Sequence, residues 1–384
     1  MQYLGLTEAD LNTSGGLHTA KEIEQQPELW KKIWEKINAK SDRIETFLKE
    51  AKDVDKVILT GAGTSSFIGD SLVGSYYRNF HKQTESISTT HLVSHPHDYL
   101  SSDQSILMIS FARSGNSPES KAAVYLADQL SKSCKHLIIT CNEEGDLVKY
   151  KSNSDKEVFL LPPESNDKSL AMTSSYSGML LTGLLLSRIK EIKTLKSQVE
   201  LAHDYAGVVL NEYLPKLKEI AELPFERAVF LGSGSLFGTA TESHLKLQEL
   251  TDGNVICKHD SFLGFRHGPK AVVDNKTLIV YCLSNNPYVS KYENDLIFAM
   301  DNGKKALTKL SISERMDFEL PIEHSLAFTK NGGTIDEDFL CLPAILPSQI
   351  LGFYKSINMG LSPDAPSRSG AISRVVEGVN IYQL

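Results

Sequence analysis

The sequence predicts an α/β protein of two tandem domains, each a parallel sheet flanked by helices. Three observations predict it. Short apolar runs that read as buried strands alternate with helix-period stretches, the pattern of parallel sheets covered on both faces. A strand running into a Gly/Ser turn and then a helix occurs twice, as V-I-L-T-G-A-G-T-S-S from Val57 and as V-F-L-G-S-G-S-L-F-G from Val229. The copies keep nearly one offset: Gly61 and Gly232 are 171 residues apart, and the strand starts at Ser105 and Leu278 are 173 apart, as a duplicated domain requires. A chain of 384 residues is also too long for one ordinary core and suits two.

The elements follow in order. After a polar start, the segment from His18 to Pro27 leads into a helix over roughly residues 28–51, because Trp30, Ile33, Trp34, Ile37, Ile44 and Leu48 recur at helical spacing. This N-terminal helical segment is placed at 1–50, the first domain at 51–215 and the second at 216–384. Strands are expected at Val57, at Ile106–Ser110, at His136–Cys141 and at Val158–Leu161. The second of these runs into Phe111-Ala-Arg-Ser-Gly-Asn-Ser-Pro-Glu-Ser120, where Ser117 stands as an N-cap and Pro118 as the first helical residue. A helical stretch over about 172–223 closes the first domain, and another covers about 340–359 before a polar tail.

Composition narrows the function. Hydrophobic residues are 41% and charged residues 23% of the chain, as in soluble globular proteins. A net charge of −8 with no basic run argues against nucleic-acid binding, so an anionic ligand must be held by local dipoles and a few placed side chains. Five cysteines (Cys134, Cys141, Cys257, Cys282 and Cys341) show no metal-site spacing and read as thiols in a reducing compartment. The N-terminus has no signal-peptide core, and the run Met179–Leu186 is too short to span a bilayer. A cytoplasmic protein without membrane partner, metal or cofactor is expected.

The chemistry concentrates between Leu236 and Lys270. Glu242, Lys246 and Glu249 fall at i, i+4 and i+7, so a helix puts all three on one face, while Ala240, Leu247 and Leu250 can pack inward. A solvated Glu–Lys pair on an amphipathic helix has the same spacing. Two neighbours favour a site. The Gly/Ser turn ahead of the helix aims backbone N–H groups at an anion, and Arg266-His267-Gly268-Pro269 fixes a histidine in a turn after it. The first half has two hydroxyl-rich turns, Gly63-Thr64-Ser65 and Ser114-Gly115-Asn116-Ser117, whereas the second has Ser284-Asn285-Asn286 in place of the second one. Phosphate binding by the first half and acid–base groups from the second are therefore expected, in a cleft shared between copies or subunits. A dinucleotide reading of Gly61-x-Gly63 lacks its acidic residue about twenty positions on, where only Glu85 is near.

The run Leu245-Lys-Leu-Gln-Glu249 followed by His267-Gly-Pro, with K-E-I-x-x-Q-P before the first domain, resembles the sugar isomerase (SIS) family. That family includes the phosphosugar-binding domains of glucosamine-6-phosphate synthase. The chain looks most like the AgaS group, tagatose-6-phosphate ketose/aldose isomerases or galactosamine-6-phosphate deaminases. The resemblance implies two tandem flavodoxin-like SIS domains and a phosphorylated sugar as substrate. It places phosphate contacts at Gly63, Thr64, Ser65, Ser114, Asn116 and Ser117, where the synthase motifs are C-G-T-S and S-Q-S-G-E-T, and a further contact at Thr173. Ala112 replaces a family serine and Arg113 a glutamine, so Arg113 either compensates or faces solvent.

By the same resemblance Glu249 carries the proton between C1 and C2, His267 opens the sugar ring, and Glu242 and Lys246 orient Glu249 or the substrate hydroxyls. The synthase's imine-forming lysine corresponds to Arg374, which stays protonated and cannot form an imine. The resemblance further implies a homodimer or higher homo-oligomer in which His267 completes the neighbour's site. Without a glutamine-hydrolysing domain, deamination of galactosamine-6-phosphate is the expected direction. An isomerase of hydroxy sugars, a fructosamine-phosphate deglycase and a phosphosugar sensor are the alternatives. A sensor would not need the Glu/His pair.

Overall fold

The computed structural model describes residues 1–316, 319–329, 334–376 and 378–384. The chain divides into two compact units, one of residues 28–167, 174–197 and 372–384, the other of residues 1–27, 168–173 and 198–371.

The first unit is built on a five-stranded sheet of β1 (Lys56–Thr60), β2 (Gln83–Ser86), β3 (Ser105–Ala112), β4 (Ser133–Thr140) and β5 (Lys156–Leu160), ordered β2-β1-β3-β4-β5. Every pairing is parallel. The central strands are apolar because helices cover both faces. β2, sequence Q-T-E-S, is a polar edge strand that hydrophobic patterning does not reveal. The helices used below are α1 (Gln26–Ala39), α2 (Ser41–Glu50), α3 (Thr64–Phe80), α4 (Pro118–Leu130) and α5 (Ser174–Ser187). The single helix expected over 28–51 is thus two, broken at Lys40 (φ −114°, ψ 10°). Ile37 and Ile44 are seven residues apart and both buried, so the apolar phase runs on through the break and hides it. All fourteen residues of α5 are buried, as a helix apolar all round must be. Trp30 Nε1 donates to Ser177 Oγ at 3.0 Å on its surface.

The second unit repeats the plan with β6 (Arg227–Leu231), β7 (Ile256–Asp260), β8 (Thr277–Cys282), β9 (Thr308–Arg315) and β10 (His324–Thr329). Their order is β7-β6-β8-β9-β10, again all parallel. In both units the order reads 2-1-3-4-5, the flavodoxin-like arrangement whose ligands lie at the carboxyl ends of the strands. The tandem flavodoxin-like fold expected from the sequence is therefore the fold of the protein.

The helices that matter in the second unit are α6 (Ser235–Leu250), α7 (Pro287–Asp301) and α8 (Glu337–Asn358). The polar N-terminus also folds, into helices Glu8–Ser14 and Leu17–Glu24. Asp364 Oδ1 accepts from Thr19 N and Thr19 Oγ1, both at 2.7 Å, and Gln26 Nε2 donates to Gln349 Oε1 at 2.6 Å. Helix α8 has the length and apolarity of a membrane span, yet 94% of that window is buried in the protein. It is a core helix. It lies close on α6, since a Cβ on Gly352 would sit 2.8 Å from Leu250 Cδ1 and 3.4 Å from the Lys246 carbonyl.

The repeated turns match in detail. Gly63 precedes α3 with φ 56° and ψ −129°, and Gly234 precedes α6 with φ 58° and ψ −129°, a conformation that glycine alone adopts readily. A Cβ on Gly61 would lie 2.6 Å from the Ser65 carbonyl, and one on Gly232 would lie 2.2 Å from the Leu236 oxygen.

Candidate active site

Helix α6 begins at the Gly234 turn and ends at Leu250, so Glu242, Lys246 and Glu249 run from its middle to its last turn on one face. Leu236, Ala240, Leu247 and Leu250, wholly buried, anchor the helix in the core. The Lys246 ammonium lies 3.2 Å from Glu242 Oε1 and 2.6 Å from Glu249 Oε2. It bridges both carboxylates. Lys246 and Glu242 side chains are wholly buried, while Glu249 keeps 22% of its side chain exposed. Burial opposes the lysine's charge, but the two carboxylates outweigh it and hold its pKa above the usual value. The solvated surface pair that the spacing also allowed is not what forms. This is a buried carboxylate–ammonium–carboxylate triad with one carboxylate open to a ligand.

His267 stands on a separate loop of the same unit. Phe262 and Phe265, both wholly buried, pin the short helix Phe262–Phe265. Ser261 Oγ caps it by accepting from Gly264 N at 3.0 Å, and His267 N donates to the Gly264 carbonyl at 3.0 Å. Gly268 (φ +114°) then turns the chain, leaving His267 exposed. Another histidine, His244 on α6, is a poorer acid–base group near neutrality, because burial and then His259 push its pKa down to about 4.

In the first unit the two hydroxyl-rich turns follow β1 and β3, adjacent parallel strands. They lie at the carboxyl ends, on either side of the point where the strand order reverses. Thr64 and Ser65 are buried at the start of α3. Ser114 and Ser117 are half-buried and Asn116 is exposed. The second turn is braced from its own strand layer: Asn142 Nδ2 donates to the Ser114 carbonyl at 2.8 Å, and Asp146 N donates to Asn116 Oδ1 at 2.9 Å. Ser117 takes the N-cap position of α4, but its hydroxyl makes no capping bond and pairs with Ser120 Oγ at 2.5 Å. The N–H groups opening α4 are thus not covered by the cap side chain that sequence reasoning assigned to them.

Arg113 does not face solvent. It is buried, and its Nη2 donates to the Arg374 carbonyl. The Arg374 guanidinium is itself bound: Nε donates to the Asp167 carbonyl and Nη2 to Asn166 Oδ1, both at 2.8 Å. Sequence reasoning missed Asp167, which holds this corner. Its carboxylate accepts from Ser174 N and Ser175 N, both at 3.0 Å, and so caps α5. Asp167 stands seven residues ahead of Ser174, far outside ordinary cap spacing, so no local pattern could have found it. Thr173 is fully buried in the segment 168–173, which Glu22 holds by accepting from Lys168 N and Ser169 Oγ.

A duplicated 2-1-3-4-5 sheet, with hydroxyl-lined turns in one copy and a buried ion triad in the other, defines a protein of the double sugar-isomerase-domain class. No family model matches the sequence, but individual proteins do. The chain is 42% identical over 383 residues to the D-galactosamine-6-phosphate deaminase AgaS of Shewanella sp. (strain ANA-3), covering 98% of this chain and 95% of that protein. Among solved structures, a candidate tagatose-6-phosphate ketose/aldose isomerase of Clostridium novyi NT superposes with a TM-score of 0.96 at 39% identity over the whole of both chains. The tagatose-6-phosphate ketose/aldose isomerase of Escherichia coli superposes with a TM-score of 0.85 at 34% identity, covering 96% of this chain and 97% of that one. The chain belongs to the AgaS family, as the motifs led one to expect.

Proposed function

We propose that the protein is an amino-sugar-phosphate deaminase and isomerase that converts galactosamine-6-phosphate and water to tagatose-6-phosphate and ammonia. The observation that carries this reading is the α6 triad, in which Lys246 holds Glu249 by one oxygen, Oε2, at 2.6 Å and leaves Oε1 for a substrate proton. A base fixed in this way can take a proton from C2 and return it to C1. His267, exposed on its pinned loop, protonates the ring oxygen as the sugar opens; a histidine suits this step near neutral pH. Moving the proton from C2 to C1 of the open amino aldose leaves an imine at C2, and water hydrolyses it to the ketose and ammonia. A base, an acid and water suffice, so no cofactor is invoked.

The phosphate is assigned to Gly63, Thr64, Ser65, Ser114, Asn116 and Ser117, whose backbone N–H groups and hydroxyls bind a dianion at strand-to-helix turns. Glu242 and Lys246 are positioning residues. Arg374 and Arg113 support the tail, since the Arg374 guanidinium already bonds to Asn166 and Asp167, and the intermediates are non-covalent. Thr173 is retained as a further substrate contact. We place the protein in the cytoplasm as a homodimer or higher homo-oligomer, His267 of one subunit completing the site of another, with neither nucleic acid nor membrane as partner.

A second reading, isomerisation of hydroxy-sugar phosphates, uses the same residues and is favoured by the name of the Escherichia coli structural relative. One assay separates the two. Ammonia should be released from galactosamine-6-phosphate, with glucosamine-6-phosphate as the epimer comparison. If no ammonia appears while an aldose phosphate is converted to its ketose, the deaminase reading is overturned.

A further inference from the structure

The string K-E-I-x-x-Q-P, residues Lys21 to Pro27, carries part of the family resemblance, yet the chemistry proposed above makes no use of it. Its Glu22 stands near the end of the helix Leu17–Glu24 and is 6% exposed. That helix is fixed from far along the chain. It opens on Gly16, which has no side chain to cap it, and the Asp364 carboxylate serves instead, accepting from His18 N at 3.1 Å and from Thr19 N at 2.7 Å. At the same corner Asp364 N donates to the Gly15 carbonyl at 2.8 Å, and a Cβ on Gly15 would meet Ser362 at 2.8 Å. After the helix, Gln26 Nε2 donates to the Ile23 carbonyl at 3.0 Å as well as to Gln349 on α8.

The segment 168–173 belongs to no helix or strand, so its buried backbone donors need partners from elsewhere. Glu22 supplies them. Its Oε1 accepts from Lys168 N, both of its oxygens lie 3.4 Å from Ser169 N, and Oε2 accepts from Ser169 Oγ. Leu170 N donates to the Asp364 carbonyl at 3.0 Å, so the residue that caps the helix also holds the segment. A carboxylate that reads several donors fixes both the place and the tilt of a short stretch, where one acceptor atom would leave it free to pivot. Thr173 closes the segment. Misplacing a substrate contact by about 1 Å can cost about a hundredfold in rate, so a support of this kind bears on the site and not only on folding.

We propose that Glu22 is a positioning residue for the phosphosugar, setting segment 168–173 so that Thr173, the substrate contact assigned above, meets the sugar; the role rests on that assignment. The probe is tagatose-6-phosphate, a ketose product under both the deaminase and the isomerase readings, titrated calorimetrically into the full-length protein. Loss of the charged acceptor in Glu22→Ala should weaken binding about tenfold, and Glu22→Gln, which keeps one acceptor oxygen, should recover most of it. Ser169→Ala removes only the hydroxyl bond and should weaken binding about threefold; it carries the test, with unchanged affinity as the overturning result, should Glu22→Ala not fold. In a Thr173→Ala background, adding Glu22→Ala should change affinity by less than about twofold, because residues that act through one contact are not additive. A Glu22 with a purely structural role would lower the melting temperature and leave the affinity of the folded protein unchanged, and that result overturns the proposal. So would a full further loss in the double variant, which leaves the Thr173 contact standing, or Thr173→Ala binding like the unaltered protein, which removes that contact as well. Failure of the unaltered protein to bind tagatose-6-phosphate would overturn the proposed function itself, and the role of Glu22 with it.

Discussion

Ser65 and Ser117 differ at the residue scale in a way that bears on their roles. Ser65 is buried at the start of α3, whereas Ser117 is half-buried and its hydroxyl turns to Ser120. A hydrogen bond to a charged group contributes about 1.5–3 kcal/mol, so Ser65→Ala and Ser117→Ala should each raise KM for the phosphosugar roughly ten- to a hundredfold. Steady-state kinetics on the two variants checks this, and an unchanged KM would remove the residue from the phosphate site. Arg374 invites a different measurement. A guanidinium is not an imine-forming amine, and that of Arg374 already bonds to Asn166 and Asp167. Borohydride added during turnover should therefore trap no substrate on the protein, and mass spectrometry showing a reduced adduct on any lysine would overturn the non-covalent route.

Helix α6 is the element on which the chemistry turns. It is held from below by four buried aliphatic side chains and by the close approach of α8 at Gly352, so the triad has little freedom to rearrange. Removing the central cation would break the ion pair of Lys246 with the wholly buried Glu242. Breaking a buried ion pair by removing one member costs about 3–5 kcal/mol, and Lys246→Met should lower the melting temperature on the order of 10 °C. Glu249→Gln, at the partly open end, should abolish turnover with a much smaller thermal shift. Thermal melts and activity on the two variants distinguish a positioning residue from the base. Similar melting losses in both would mean that the triad is only structural.

For the whole molecule, the outward placement of His267 suits service to a second subunit, and two-fold interfaces are the commonest kind. Mixing inactive Glu249→Gln subunits with inactive His267→Ala subunits should restore part of the activity, because exchange rebuilds one intact site in each mixed dimer. Mixed dimers shown to form by native mass spectrometry but lacking activity would place His267 in its own subunit's site or outside the chemistry.

Local pattern made a large part of this protein legible. Apolar strand runs, the recurring Gly/Ser turn and a nearly constant offset between halves sufficed for two parallel-sheet domains, because burial of both sheet faces writes hydrophobicity directly into the strands. The i, i+4, i+7 spacing likewise determined that Glu242, Lys246 and Glu249 share a helix face. Other features were decided only by tertiary contacts. The polar strand β2 exists because β1 offers it an open edge, and the break at Lys40 hides inside an unbroken apolar phase. The close packing of α8 on the Leu247 and Leu250 side of α6 comes from residues that begin 87 positions after Leu250. Arg374 finds the Asp167 carbonyl 207 residues away, and Glu22 finds Ser169 at a separation of 147. Periodicity reports which side of an element is apolar, but the partner that covers that side, and the charge left buried beneath it, come from chain segments that no local window contains.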